Sequence, residues 1–231
     1  MRKLTGILLS LALVSAFAVP AHAEPGVSAK SAILMHADSG RVLYEKNADE
    51  HMLIASTTKI MTAIVVLEHC ALDELVEVDE RSAGIEGSSM YLKAGESYTV
   101  EDLLYGLMLA SGNDAASALA LHVADSLEDF AALMNEKAAA LGMTESSFKN
   151  PHGLDEEGHY STARDMAKLA AYCMENPDFA RIAGAVSHTV GTITACCAST
   201  TAALASKPAI PWPRAAPWSP APSATARATS A

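Results

Sequence analysis

A hydroxyl and an amine sit three residues apart in Ser56-Thr57-Thr58-Lys59, where the chain enters the apolar run Ile60-Met61-Thr62-Ala63-Ile64-Val65-Val66-Leu67. On a helix, positions three apart share a face, so these two side chains meet. A serine hydroxyl attacks a carbonyl only once a base has taken its proton, and a partly desolvated lysine has the depressed pKa that suits this task. The start of the helix adds N–H donors and positive potential for a developing oxyanion. The chemistry indicated is acyl transfer, with Ser56 as nucleophile and Lys59 as general base. The spacing alone is weak, because Ser146-Ser147-Phe148-Lys149 repeats it in a chain of 9 lysines. That second copy precedes Asn150-Pro151 in a stretch without helical period, and is expected to be a surface loop. Taken alone, Ser56 is better described as a helix cap with a solvated lysine one turn on.

About fifty residues downstream, Ser111-Gly112-Asn113 places a second hydroxyl and an amide between two helical segments. By itself this too is capping chemistry, with Gly112 ending one helix and Asn113 opening the next. The two elements in this order are much rarer by chance than either alone. His152 and His159 fall in a Gly/Pro-containing loop, where a histidine is usually a structural hydrogen-bonder, and neither is assigned catalysis. Asp165 is expected to cap its helix. Met90, Met108 and Met134 are expected to be core or surface fillers. Cys196 and Cys197 have no His or Cys partner at ligand spacing, so no metal or cofactor is expected. Cys70 and Cys173 lie in helical patterns as small buried hydrophobes, and whether they pair stays open.

These residues need a scaffold. Ser31 to Asp38 and Arg41 to Glu45 are β-leaning runs around the turn Asp38-Ser39-Gly40, which predicts an antiparallel hairpin. Apolar periodicity predicts helices over Thr57 to Leu72, Val100 to Ala110, Asn113 to Ala124, Ser126 to Leu141 and Ala163 to Glu175. Thr99 before Glu101 and Asp102, Ser126 three residues before Asp129, and Thr162 three before Asp165 are start signals, and Gly142 is a stop. Between Met143 and Thr162 the pattern fails, and a loop that long is often functional.

Met1 to Ala23 has the form of a secretory signal: Arg2 and Lys3, the apolar stretch Ile7 to Val19, and Ala21-His22-Ala23 before the expected mature start at Glu24. Export to the periplasm or cell-wall space follows, with no membrane anchor expected. All 27 acidic residues lie between Glu24 and Asp178 against 10 of the 16 basic ones, a net charge of −17 that disfavours nucleic acid as a partner. From about Gly184 to Ala231 the chain loses its acids and its helical period, turns rich in Ala, Pro, Ser and Thr, and sets Trp212 and Trp218 among prolines. Such a composition predicts a disordered tail or linker.

The Ser-x-x-Lys and Ser-x-Asn elements belong to the motif set of penicillin-binding proteins and class A β-lactamases, whose third member is Lys-Thr-Gly. The surrounding residues are closer still. Ser31-Ala32-Ile33-Leu34, Ala55 to Thr62, Leu109 to Ala116, Asn150-Pro151-His152-Gly153-Leu154 and Tyr160 to Ala167 resemble the low-molecular-mass serine D-alanyl-D-alanine carboxypeptidases over roughly Val27 to Ala183. The resemblance implies an α/β (α+β) fold of the serine β-lactamase/transpeptidase type, an antiparallel sheet flanked by helices with a helical lobe. It implies a catalytic domain begun over residues 24–183. It also implies attack by Ser56 on the bond between the last two D-alanines of a peptidoglycan stem peptide, proton relay by Ser111, and a grip on the substrate backbone by Asn113. β-Lactam antibiotics would be trapped as esters.

Lys-Thr-Gly occurs nowhere in the chain, and the family uses that strand to close the site. The later strands of the sheet are therefore expected to be missing. Codons permitted by Ser206 to Ile210 can overlap as Lys-Thr-Gly-Tyr two bases out of frame, which points to a shifted reading frame from about Val190 or Gly191. Two rivals stay open. A β-lactamase-like hydrolase would need a deacylating carboxylate from the loop holding Glu145, Asp155, Glu156 and Glu157, and a non-catalytic peptidoglycan-binding remnant would form no ester at Ser56.

Overall fold

The computed structural model describes residues 26–190. The segment Met1–Ala23 read as a secretory signal, Cys196, Cys197, both tryptophans and the segment read as out of frame lie outside the described residues. The expected hairpin is present as β1 (Ala32–Met35) and β2 (Val42–Lys46), antiparallel with Leu34 opposite Tyr44, and Gly40 takes a positive φ of 66° in the turn. A 3-10 turn over Ala55–Thr57 then leads into α1 (Thr58–His69). After α1 comes a short ribbon, β3 (Leu75–Glu77) with β4 (Ser97–Thr99), followed by α2 (Val100–Leu109), α3 (Asn113–Val123) and α4 (Leu127–Ala140). A long loop, α5 (Ala163–Glu175) and α6 (Pro177–Ala183) complete the order.

The α+β class expected from the sequence is what forms, with its strands in two separate two-stranded antiparallel sheets among the described residues. The ribbon β3–β4 and helix α6 were not expected. Three-residue strands 22 positions apart carry no usable period, and a two-turn helix is too short for one. Helix α6 did have a local signal, Asn176 accepting from Asp178 N and Phe179 N with Pro177 in the first turn.

Helix α1 is the axis of the body and touches each of the other five helices. Its sequence demands this position. Met61, Ala63, Ile64, Val65 and Val66 face in several directions, and a helix that is apolar nearly all round must be covered on all sides. Leu103, Leu104 and Leu107 of α2, Leu119 of α3, Phe130 and Met134 of α4, and Leu169 and Cys173 of α5 form the surrounding core. The expected caps hold: Thr99, Ser126 and Thr162 accept from the backbone N–H groups of Asp102, Asp129 and Asp165. Gly142 follows α4 with φ 68°.

Cys70 and Cys173 are both free thiols, half-buried and buried respectively. The chain stays on the body to Val190, seven residues past Ala183. His188 stacks on Tyr105 with ring centroids 3.8 Å apart and bonds Asp102 at 2.8 Å. His188, in the segment grouped by composition with the tail, thus lies against α2.

Candidate active site

The 3-10 turn before α1 lifts Ser56 into an open cleft while the first turn of α1 carries Lys59 inward. Ser56 is exposed and Lys59 is 2% exposed. Burying an ammonium without a carboxylate is costly, and the chain offsets this with neutral acceptors. Lys59 Nζ donates to Asn113 Oδ1 at 2.7 Å, to the His152 carbonyl at 2.7 Å and to Ser56 Oγ at 3.3 Å. Burial lowers its pKa from 10.5 to about 8.

These three contacts also fix what the lysine does once it loses a proton. A neutral amine keeps two N–H donors and gains one lone pair. Asn113 Oδ1 and the His152 carbonyl can only accept, so they hold the two donors and leave the lone pair directed at Ser56 Oγ. The amide of Asn113 cannot be reversed, because its Nδ2 donates to the Glu86 carbonyl at 2.6 Å while its Oδ1 receives Lys59. Asn113, expected to grip substrate, is seen to orient the Lys59 amine. It retains one amide hydrogen and one lone pair toward the cleft.

Each partner is held in turn. Asp114 is fully buried, and its carboxylate accepts from Ser89 Oγ, Met90 N, Leu92 N and Ala115 N at 2.6–3.0 Å. This pins the segment before β4 to the start of α3, and with it the Glu86 carbonyl and Ser88, whose carbonyl receives Asn113 N at 2.7 Å. On the other wall, Thr62 Oγ1 donates to the Pro151 carbonyl at 2.6 Å and Asn150 Oδ1 receives Gly153 N at 2.8 Å. Gly153 has φ +86°, and a Cβ there would stand 1.9 Å from the carbonyl oxygen of Ala55, the residue before Ser56. Close approach and conformation both require glycine.

Both histidines make structural hydrogen bonds. Lys149 N donates to His159 Nδ1 at 3.0 Å, which puts the proton on Nε2 for donation to Thr58 Oγ1 at 2.8 Å. His152 Nδ1 accepts from Leu154 N at 3.2 Å. Burial, with the Lys59 charge second, lowers its pKa to about 4, so it is neutral beside the lysine.

The cleft has a volume of about 440 Å³, and Ser56, Gly87, Ser88, Asn113, His152 and Asp155 are among its lining residues. Ser111 adopts a left-handed φ of 56° two residues before Asn113 and is half-buried, but its hydroxyl makes no hydrogen bond among the described residues. The structure thus joins Ser56, Lys59 and Asn113 directly, while Ser111, two residues before Asn113, is not among the residues that line the cleft. The competing Ser146–Lys149 copy lies far from such an arrangement. Ser146 is bonded to Asp165 and Ser161, Lys149 is exposed, and Phe148 between them is buried, so the loop is anchored rather than wholly superficial. Asp165, expected as a cap, is a buried clamp whose carboxylate accepts from Glu145 N, Ser146 Oγ and Lys168 Nζ.

Sequence reasoning missed Asp114, Glu86 and the His152 carbonyl. Asp114 had a signal, an acid at a helix start. Backbone carbonyls have none.

A family model described as D-alanyl-D-alanine carboxypeptidase matches residues 18–203. The chain is 42% identical over 191 residues to D-alanyl-D-alanine carboxypeptidase DacF of Bacillus subtilis, covering 78% of this chain and 49% of that one. It spans about half the length of the first curated relatives it matches. Among solved structures, a D-alanyl-D-alanine carboxypeptidase from Mycobacterium tuberculosis superposes with a TM-score of 0.68 at 36% identity, over 78% of this chain and 69% of that one. Penicillin binding protein 5 from Haemophilus influenzae superposes with a TM-score of 0.67 at 33% identity, over 70% and 49%.

Proposed function

The chain belongs to the D-alanyl-D-alanine carboxypeptidase family, and from that premise we propose that it carries the nucleophile-bearing part of a serine carboxypeptidase acting on peptidoglycan stem peptides. The observation that supports this most is the buried Lys59, whose two fixed acceptors turn its lone pair toward Ser56. Ser56 Oγ attacks the carbonyl between the last two D-alanines as Lys59 takes its proton. The N-terminus of α1 supplies positive potential near the oxyanion. Asn113 faces the substrate backbone with its remaining donor and acceptor. Ser111 passes a proton to the leaving D-alanine, and water then hydrolyses the ester on Ser56. β-Lactams acylate the same hydroxyl and remain there.

The secretory pattern of Met1–Ala23 supports an exported protein working in the periplasm or cell-wall space. Among the described residues no helix is long and apolar enough to cross a membrane. Incubating the full chain with a pentapeptide ending in D-Ala-D-Ala and measuring released D-alanine tests the activity. Release that disappears in Ser56→Ala supports the proposal; no release from a folded chain, or release that survives Ser56→Ala, refutes it.

A further inference from the structure

Helices α1 and α3 both begin at the cleft, with Lys59 and Asn113 in their first turns, and both end at a second cluster. Cys70 closes α1 and His122 lies in the last turn of α3. At 1.5 Å per residue, Cys70 is roughly 16 Å along the helix from Lys59. There Cys70 Sγ, a Glu74 carboxylate oxygen and a ring nitrogen of His122 lie within 4.8 Å of one another.

Several features of this cluster match a metal site rather than a chance encounter. His122 Nε2 and Glu74 Oε2 are 3.3 Å apart. A tetrahedron built on zinc bonds of about 2.0–2.1 Å has edges of about 3.3 Å. Glu74 Oε1 accepts from Ala71 N at 2.6 Å, so the carboxylate is already turned with Oε2 toward the histidine. Such fixing of a ligand by an outer hydrogen bond is characteristic of zinc sites. The ligand backbones are tied down: Cys70 N bonds the Val66 carbonyl, Glu74 N bonds the Ala71 carbonyl, the Glu74 carbonyl receives Val100 N, and His122 lies within α3. A thiolate and a carboxylate together balance the charge of a dication. A Glu–His ion pair accounts for two of these groups and packing against the core for the position of Cys70; what the metal reading adds is the meeting of all three ligand atoms at one point.

We propose that Cys70, Glu74 and His122 bind Zn²⁺, with the fourth position open to water. The site joins the far ends of the two helices that carry Lys59 and Asn113, and its role is to fix their pairing. The three ligands span 52 positions, which is why no short motif announces them.

The full chain, reduced and stripped with chelator, is titrated with Co²⁺ and then with Zn²⁺. The proposal expects a one-to-one Co²⁺ complex with thiolate-to-cobalt charge-transfer absorption, displaced by Zn²⁺, and a higher melting temperature with Zn²⁺. The band disappears in Cys70→Ser, and Zn²⁺ binding weakens by about 100-fold or more in Glu74→Gln and His122→Ala, exceeding the loss typical of an outer-shell change. The double variant Cys196→Ser, Cys197→Ser keeps the band. The proposal is overturned if the band survives Cys70→Ser, if it is lost in the Cys196/Cys197 variant, or if the folded wild-type chain forms no such complex. Should Cys70→Ser fail to fold, the two exposed positions decide the matter alone, and unchanged affinity in both overturns it.

Discussion

Lys59 shows how much of the chemistry rests on where one side chain is buried. Its pKa falls to about 8 because burial disfavours the ammonium, and the unfolded value stays near 10.5. The folded chain therefore binds fewer protons than the unfolded chain between these values, and the cost of keeping the charge is fully present below pH 8 and relieved as pH rises toward 10.5. The same sign governs the proposed catalysis. Acylation of Ser56 by a β-lactam should increase with pH, reach half its plateau near pH 8 and level off above, in stopped-flow measurements. Lys59→Arg should abolish that rise and cut the rate by about 10²-fold or more, since a guanidinium cannot give up its proton. Ser56 and Lys59 were legible because spacing and an apolar helix start are local facts. The His152 carbonyl was not, because any residue offers a carbonyl and only the fold decides which one arrives.

At the level of elements, two positions hold the cleft walls in register. Gly153→Ala would drive a methyl group into the Ala55 carbonyl, 1.9 Å away, and would strain a φ of +86°. We expect the turn bearing Ser56 to shift, with acylation falling by about 10²-fold, the usual consequence of displacing a reacting group by about 1 Å. Asp114→Ala would strip four hydrogen bonds from a fully buried carboxylate and orphan backbone donors of Met90 and Leu92. Urea unfolding should show a loss of about 3 kcal/mol or more. The capped helices could be read from the sequence because Thr99, Ser126 and Thr162 sit beside the N–H groups they satisfy. The ribbon β3–β4 could not, because its pairing depends on closing a loop that carries no pattern of its own.

Across the described residues, five helices pack around α1, while the hairpin β1–β2 packs against α5 and is tied to it by Arg164, which bonds Glu45 and Asp49. Leu34 and Leu43 remain exposed on that hairpin. Composition separated the acidic body from the tail, and similarity to known carboxypeptidases spans most of the chain, but Lys-Thr-Gly is absent from it. The nucleotide sequence checks the proposed frame shift: the alternative frame should spell Lys-Thr-Gly over Ser206 to Ile210, and stop codons in that frame would refute it. Whether the described constellation acylates as it stands is tested most directly by intact-protein mass spectrometry after incubation with a fluorescent penicillin. One adduct per chain, mapped to Ser56, absent in Ser56→Ala and retained in Ser146→Ala, is the predicted result; an unmodified folded chain, or an adduct that survives Ser56→Ala, would contradict the assignment of Ser56 and Lys59.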